Sequence, residues 1–270
     1  MPTPSSTSQS LGERISQLIQ SLQFSWFVGH VLTLLGTFFY VISVITFNAS
    51  PKPYKIAYLG ALVSYGVVIY KTHGIPQLNA AYAQRLVTDE NVQYFFLATY
   101  NFFSDPVEVS LIPFVTFSAF HALGYVRTNI IPTVFPTPRQ AAGSNTPATW
   151  QAKTQQSIKS WTEKNYGNAM RLVATAEVTI IMPRLILGLL RLRIVPVVLF
   201  AQFLRFRYHL SAYTRQAFTD LRVNLDRALL PPTANPRIPA VVSRLYTTAK
   251  DMVFNFGEAA VQRQPAPGQQ

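Results

Sequence analysis

Asp105 and Glu108 stand three residues apart in "SDPVEVS", close enough on one turn to work as a paired acid and base. A simpler chemistry explains them. Asp105 is the type of residue that accepts the first free N–H groups of a helix, Pro106 suits the first helical position, and Glu108 falls where a capping box places its acid. The spacing therefore predicts a hairpin turn capped by Asp105, Pro106 and Glu108, in preference to a catalytic pair. His30 and His121 lie inside long apolar runs. A lone histidine in such a run either marks a proton path or makes a hydrogen bond between helices, and the second is the preferred reading. The sequence has no cysteine, and its acids and histidines do not cluster; it contains no HExxH, no GxxxxGK[ST] and no GxGxxG. No catalytic, cofactor or metal site is expected, and the chain is not expected to be an enzyme.

The arginines carry the other chemistry. Residues 180–210 read "IIMPRLILGLLRLRIVPVVLFAQFLRFRYHL", in which Arg184, Arg191, Arg193, Arg205 and Arg207 are threaded through hydrocarbon. A soluble core does not accept that many guanidinium groups, and each Arg at the centre of a bilayer costs roughly 2.5–3.5 kcal/mol even on a lenient scale. The boundary between lipid tails and headgroups accepts both, because the stem stays in oil while the charge reaches phosphate. The same logic assigns Arg244 and Lys250, further on, to a membrane interface.

Composition agrees. The chain has 270 residues, of which 49% are hydrophobic and only 13% charged, about half the usual charged fraction. Residues 1–126 hold five basic and five acidic side chains, whereas residues 127–270 hold 18 and six, so the whole net charge of +12 lies in the second part. Its arginines interleave with Leu, Ile, Val and Phe, which favours an anionic bilayer as the partner and argues against direct nucleic-acid binding.

The elements that must position these residues follow from charge and punctuation. Residues 1–21 are expected to be a disordered N-terminal arm and lead-in. An uncharged run at 22–47 is about 39 Å long as a helix and reads as a retained span. A turn at 48–55 leads to a second arm at 56–72, where Ala57/Ala61 and Gly60/Ser64 form small-xxx-small pairs suited to close contact with the first span. Arms at 92–104 and 106–130 make a second hairpin, so that 22–131 is a region of transmembrane helical hairpins. The Pro/Ser/Thr-rich stretch 132–149 is a linker. The basic region 150–230 holds a polar helix from 150 to 166 and a greasy segment at 172–204. That segment reads as a short membrane-embedded hairpin kinked at Pro183, with two full crossings as the alternative. Glu177, Arg184 and Arg191 recur every seven residues on one face of it. An amphipathic helix follows at 204–229. A last one, at 237–262, has Ile238, Val242, Leu245, Met252 and Phe256 on its apolar face. That face either packs on the protein's own core or lies on lipid. The fold class is all-α integral membrane protein, helical hairpins followed by interfacial amphipathic helices. Four arms return the chain to its starting side, and the positive-inside rule places the basic half and both termini in the cytosol.

Three stretches, "DENVQYFFLATYNFFSDPVEVSLIPFVTFSAFHALGYV" (89–126), "EVTIIMPRLI" (177–186) and "FLRFRYHLSAYTRQAFTDLRVNLDRAL" (203–229), occur in an order and spacing that resemble the transmembrane protein thirty-three family. That family is also called Krüppel-homologue-two proteins, and its fungal members include pore-membrane nucleoporins. The resemblance runs from about residue 20 to 260. It implies a multi-pass protein of the endoplasmic reticulum and nuclear envelope that supports nuclear pore assembly, distribution or anchoring. The alternative it leaves open is general reticulum shaping or adaptor work. It further implies nuclear pore proteins, reticulon-type membrane proteins and a nuclear import receptor as partners, and a C-terminal amphipathic helix that prefers curved membrane.

Overall fold

The computed structural model describes residues 10–136, 149–235 and 237–258. Among the described residues there are helices and turns and no strand, as an all-helical membrane protein requires. The chain divides into two compact units, Met1–Val173 and Ala174–Gln270. Three helical stretches, Leu22–Ile45, Glu108–Val134 and Trp150–Arg191, are long and apolar enough to cross a membrane.

In the first unit the lead-in is not without order. Helix α1 (Leu11–Ile19) is started by a capping box in which Ser10 accepts from the Glu13 N–H and Glu13 accepts from the Ser10 N–H. Residues 1–9 of the expected arm lie outside the described residues. α2 (Leu22–Ile45) and α3 (Pro51–His73) form the first hairpin. α3 begins before the expected residue 56, because Ser50 caps it and prolines 51 and 53 fit its first turn, where no N–H partner is needed. α4 (Ala80–Thr88) leads to α5 (Glu90–Phe103).

α2 and α3 approach until their backbones touch. A Cβ placed on Gly29 would stand 2.6 Å from the Gly60 carbonyl oxygen, and one on Gly36 would stand 2.5 Å from the Ala57 nitrogen. Thr33 donates to the Ala57 carbonyl at 3.1 Å and Ser64 to the Trp26 carbonyl at 3.1 Å, so the contact is hydrogen-bonded as well as close. Small residues matter here because lipid offers no hydrophobic drive between helices, which leaves van der Waals contact and hydrogen bonds to hold them.

The second hairpin docks on this pair. Tyr54, in the first turn of α3, donates to Asn101 at 3.0 Å, contacts Ser110 at 3.1 Å and accepts from the Val107 N–H at 3.2 Å; Tyr58 reaches Ser110 at 2.7 Å. At the other end of α3, His73 meets Asp89 at 2.7 Å. Burial pushes the Asp89 carboxyl up, but hydrogen bonds from His73 and Asn91 outweigh it and hold the carboxyl below its ordinary value. α3 and α5 therefore run antiparallel, and the turns after α2 and α5 lie at the same end of the bundle.

The turn corrects the expected cap. The helix starts as a 3-10 turn at Glu108–Ser110 and becomes α6 at Leu111–Tyr125, with Val107 in the capping position, so Asp105 and Pro106 precede it. The long-range bond from the Val107 N–H to Tyr54 sets the start in place of a local box. Phe114 of α6 then fills the centre of the bundle, with ring centroids 5.0 Å from Tyr58, 6.0 Å from Tyr65 and 5.7 Å from Tyr94.

The helix does not stop before Pro132. A π turn at Val126–Ile130 carries it into α7 (Ile131–Val134), the Ile131 N–H donating to the Val126 carbonyl. The same device recurs before Pro183, where α8 (Trp150–Ala176) passes through a π turn at Glu177–Ile181 into α9 (Met182–Leu187), the Met182 N–H donating to the Glu177 carbonyl. A proline removes one N–H and crowds the carbonyl four residues back. Widening the preceding turn by one residue accommodates both effects. The carbonyls in question belong to Thr128 and Thr179, whose own hydroxyls bond back to Gly124 and Thr175. The polar helix expected to end at 166 is thus continuous with the greasy segment. Residues 137–148 of the expected linker lie outside the described residues.

Gly60→Val in the full chain should lower stability in detergent by about 1–3 kcal/mol, since the intruding side chain meets backbone that cannot rotate away. Gly66→Ala on the same helix, where the added carbon meets only Phe95 at 3.7 Å, should leave thermal melting unchanged or raise it. Equal melting of the Gly60 variant and the parent would refute the close contact.

Candidate functional site: the basic C-terminal unit

α9 ends in a 3-10 turn at Gly188–Arg191, and Leu192 then adopts a left-handed conformation with φ 58°, reversing the chain. α10 (Ile194–Leu210) returns from this tip. The tip is hydrocarbon turned outward, Leu190 and Leu192 each being 85% exposed, with Arg184, Arg191 and Arg193 also exposed around it. α10 does not run on to residue 229. Ser211 is extended and caps α11 (Ala212–Leu229), accepting from the Thr214 N–H, while Arg215 donates to the Tyr208 and His209 carbonyls at the end of α10.

The heptad stripe is broken by the π turn. An extra residue there shifts the helix phase, so that Glu177 is buried with 0% exposure while Arg184 and Arg191 are exposed. Arg207, expected among headgroups, is also 0% exposed and faces Glu177, Nε to Oε2 3.8 Å. This is a correction. A buried arginine needs a carboxylate near it, and Glu177 on the facing helix supplies it. Arg205 is half-buried, its guanidinium 4.9 Å from the ring centroid of Phe256.

Phe256 belongs to α12 (Ala240–Glu258), which begins after Ile238, so Ile238 sits in the lead-in turn; residues 259–262 of the expected helix lie outside the described residues. α12 is held to α11 by polar bonds. Tyr246 donates to Asp226 at 2.6 Å, Lys250 donates to both Asp226 oxygens at 2.8 and 3.0 Å, and Ser243 donates to the Leu229 carbonyl at 2.8 Å. Lys250, expected to reach lipid, is thus committed to Asp226. Hydrogen bonds from Lys250 and Tyr246 hold the Asp226 carboxyl below its ordinary value against burial. Burial and the adjacent Asp226 push the Tyr246 phenol up to about 12.

The geometry leaves the apolar face of α12 uncovered. Ser243, Tyr246 and Lys250 lie along one edge of that face, while Val241, Leu245 and Met252 stand at its open side, each about 60% exposed or more. Val242 and Phe256 are less exposed, and Arg244 is exposed on the polar side. The partners of Asp226 escape the sequence, although the i, i+4 spacing of Tyr246 and Lys250 is a signal for a shared acceptor. His30 and His121 resolve differently. His30 Nδ1 bonds Ser118 at 3.0 Å across α2 and α6, the interhelical role. Among the described residues no group of acids and histidines could hold a metal ion.

An all-helical membrane protein with an uncovered amphipathic helix is the class defined here. The chain belongs to the family described as Transmembrane protein 33/Nucleoporin POM33, which it matches over residues 3–258. It is 32% identical to Tetra-spanning protein 1 of Schizosaccharomyces pombe, with 93% of this chain and 90% of that protein covered. It is 32% identical to Nucleoporin POM33 of Chaetomium thermophilum, with 92% of each covered. It is 31% identical to Pore membrane protein of 33 kDa of Saccharomyces cerevisiae, with 95% of this chain and 91% of that protein covered. No solved structure matches.

The pH dependence of α12 docking follows from Asp226. Its carboxyl is depressed in the folded state, so its contribution is present above the ordinary carboxylate range near pH 4 and is lost as pH falls through the lower folded value. Amide protection across 243–250, taken relative to the intrinsic exchange rate at each pH, should be high at neutral pH, fall in acid, and be low at neutral pH in Asp226→Asn. Protection indifferent to both changes would refute the latch. Glu177→Gln, which removes the carboxylate facing the buried Arg207, should lower stability by about 3–5 kcal/mol in thermal or denaturant melts.

Proposed function

We propose that this chain is a non-enzymatic structural protein of the nuclear pore membrane and endoplasmic reticulum, with helical hairpins embedded in the bilayer and its basic half on the cytosolic leaflet. The observation that carries the reading is α12, latched at one edge by Asp226 and presenting Val241, Leu245 and Met252 outward. Each such side chain gains about 1.5–3 kcal/mol on entering hydrocarbon. Each well-placed Lys or Arg adds about 1 kcal/mol at an anionic surface. A helix inserted that shallowly widens one leaflet, which favours curved membrane.

The exposed greasy tip at 187–195 enters the bilayer with Arg184, Arg191 and Arg193 as its anchors. Four arms, α2, α3, α5 and the Glu108–Val134 helix, make the bundle, with the turns after α2 and α5 on the lumenal side and both termini cytosolic. α5, about 21 Å long, crosses with help from its neighbours. The name of the fission-yeast relative, a tetra-spanning protein, is consistent with that count, and the other two are named a nucleoporin and a pore membrane protein. Partners of this kind are nuclear pore proteins, reticulon-type membrane proteins and an import receptor.

Replacing Leu245, Met252 and Phe256 with serine should release a peptide of residues 231–270 from small anionic liposomes, with affinity falling more than about a hundredfold. The parent peptide should prefer small vesicles to large ones of the same lipid. Undiminished binding by the triple variant would refute the membrane role of this face.

A further inference from the structure

A cleft of about 290 Å³ opens in the first unit where α2 begins and the Glu108–Val134 helix makes its π turn. Its polar wall is made by Gln23, His121, Arg127 and Asn129, its aromatic wall includes Trp26 and Tyr125, and no carboxylate lines it. Arg127 is the one Lys or Arg between residues 108 and 134. The pore-membrane reading makes no use of this cleft.

Its depth is set by what surrounds it. α1 carries Leu11, Ile15, Leu18 and Ile19 on one side and Glu13, Arg14 and Gln17 on the other, and it leads directly into α2, as an interfacial helix at a membrane surface does. α1 also contacts α7, which follows the π turn. Gln23 and Trp26 lie in the first turns of α2, so the cleft is near headgroup depth, where amphipathic Trp and Tyr rings concentrate. The walls are stiff: Trp26 meets His121 edge-on with centroids 5.2 Å apart, and Tyr125 stacks on Phe27 at 4.6 Å.

We propose that this cleft binds the headgroup of an anionic glycerophospholipid. Arg127 pairs with the phosphate, and the carboxamides of Gln23 and Asn129 donate to the remaining headgroup oxygens. A guanidinium presents planar, forked donors suited to phosphate, and a wall with a cation and no carboxylate selects negative charge. The shared chemistry is the phosphate, and its source is the lipid, because the mouth lies at the bilayer edge.

The test uses the full chain purified in detergent, with native mass spectrometry as the readout. The probes are dioctanoyl phosphatidylinositol, dioctanoylglycerol and inorganic phosphate. One phosphatidylinositol per chain should be retained, dioctanoylglycerol should not, and inorganic phosphate should bind far more weakly than the lipid. Arg127→Gln should weaken lipid retention about tenfold or more, and Arg127→Lys less. An Arg127→Gln protein that melts like the parent and holds the lipid equally would overturn the proposal, as would retention of dioctanoylglycerol. Equal affinity for inorganic phosphate would overturn the lipid source. If Arg127→Gln does not fold, the comparison of the two lipids on the parent protein decides.

Discussion

Inside a bilayer a helix gains nothing by hiding its leucines from lipid, so the first unit depends on how closely two backbones can approach. Gly29, Gly36 and Gly60 allow α2 and α3 to touch along their length, and Thr33 and Ser64 stitch the contact. That contact fixes the adjoining face of α3, where Tyr54, packed on Tyr40 of α2, and Tyr58 stand. Their hydroxyls in turn fix Asn101, Val107 and Ser110, and so the turn of the second hairpin. Tyr54, Tyr58, Ser64 and Tyr65 of α3 are inside the bundle, its lysines are exposed near its two ends, and Ile56, Leu59 and Val63 face outward.

The two prolines show a second constraint. Backbone groups in hydrocarbon must find partners within the protein, and a proline threatens two of them at once. The chain answers the same way twice, with a π turn that ends two residues before Pro132 and another that ends two residues before Pro183. Each π turn also carries the charged residue of its neighbourhood, Arg127 in one and Glu177 in the other. The widened turn at Glu177–Ile181 places Glu177 against Arg207, and the one at Val126–Ile130 forms part of the wall of the Arg127 cleft.

The class of protein was legible because it rests on composition: runs without charge, a neutral half and a basic half. The small-residue pairs on α3 were legible for the same local reason, while Gly29 and Gly36 on α2 were not singled out, since an isolated glycine in a span has many uses. What escaped the sequence depends on long-range partners. The Asp105 cap lost to a bond from Val107 to Tyr54, 53 residues away. Arg207 and Lys250 looked like the other arginines and lysines until their partners, Glu177 and Asp226, were placed. The Ser10–Glu13 capping box was a local signal in plain view, overshadowed by the polar residues before it. The π turns have no strong local signature beyond the proline that follows them.

The uncovered face of α12 and the outward tip at 187–195 present hydrocarbon that a bilayer would cover, and the membrane proposed for them is that of the nuclear pore. Imaging the endogenously tagged full chain beside a core pore marker, in cells whose pores have been forced to cluster, tests this most directly. The tagged protein is expected to gather with the clusters above its reticulum level. An even reticulum signal that ignores the clusters would contradict it.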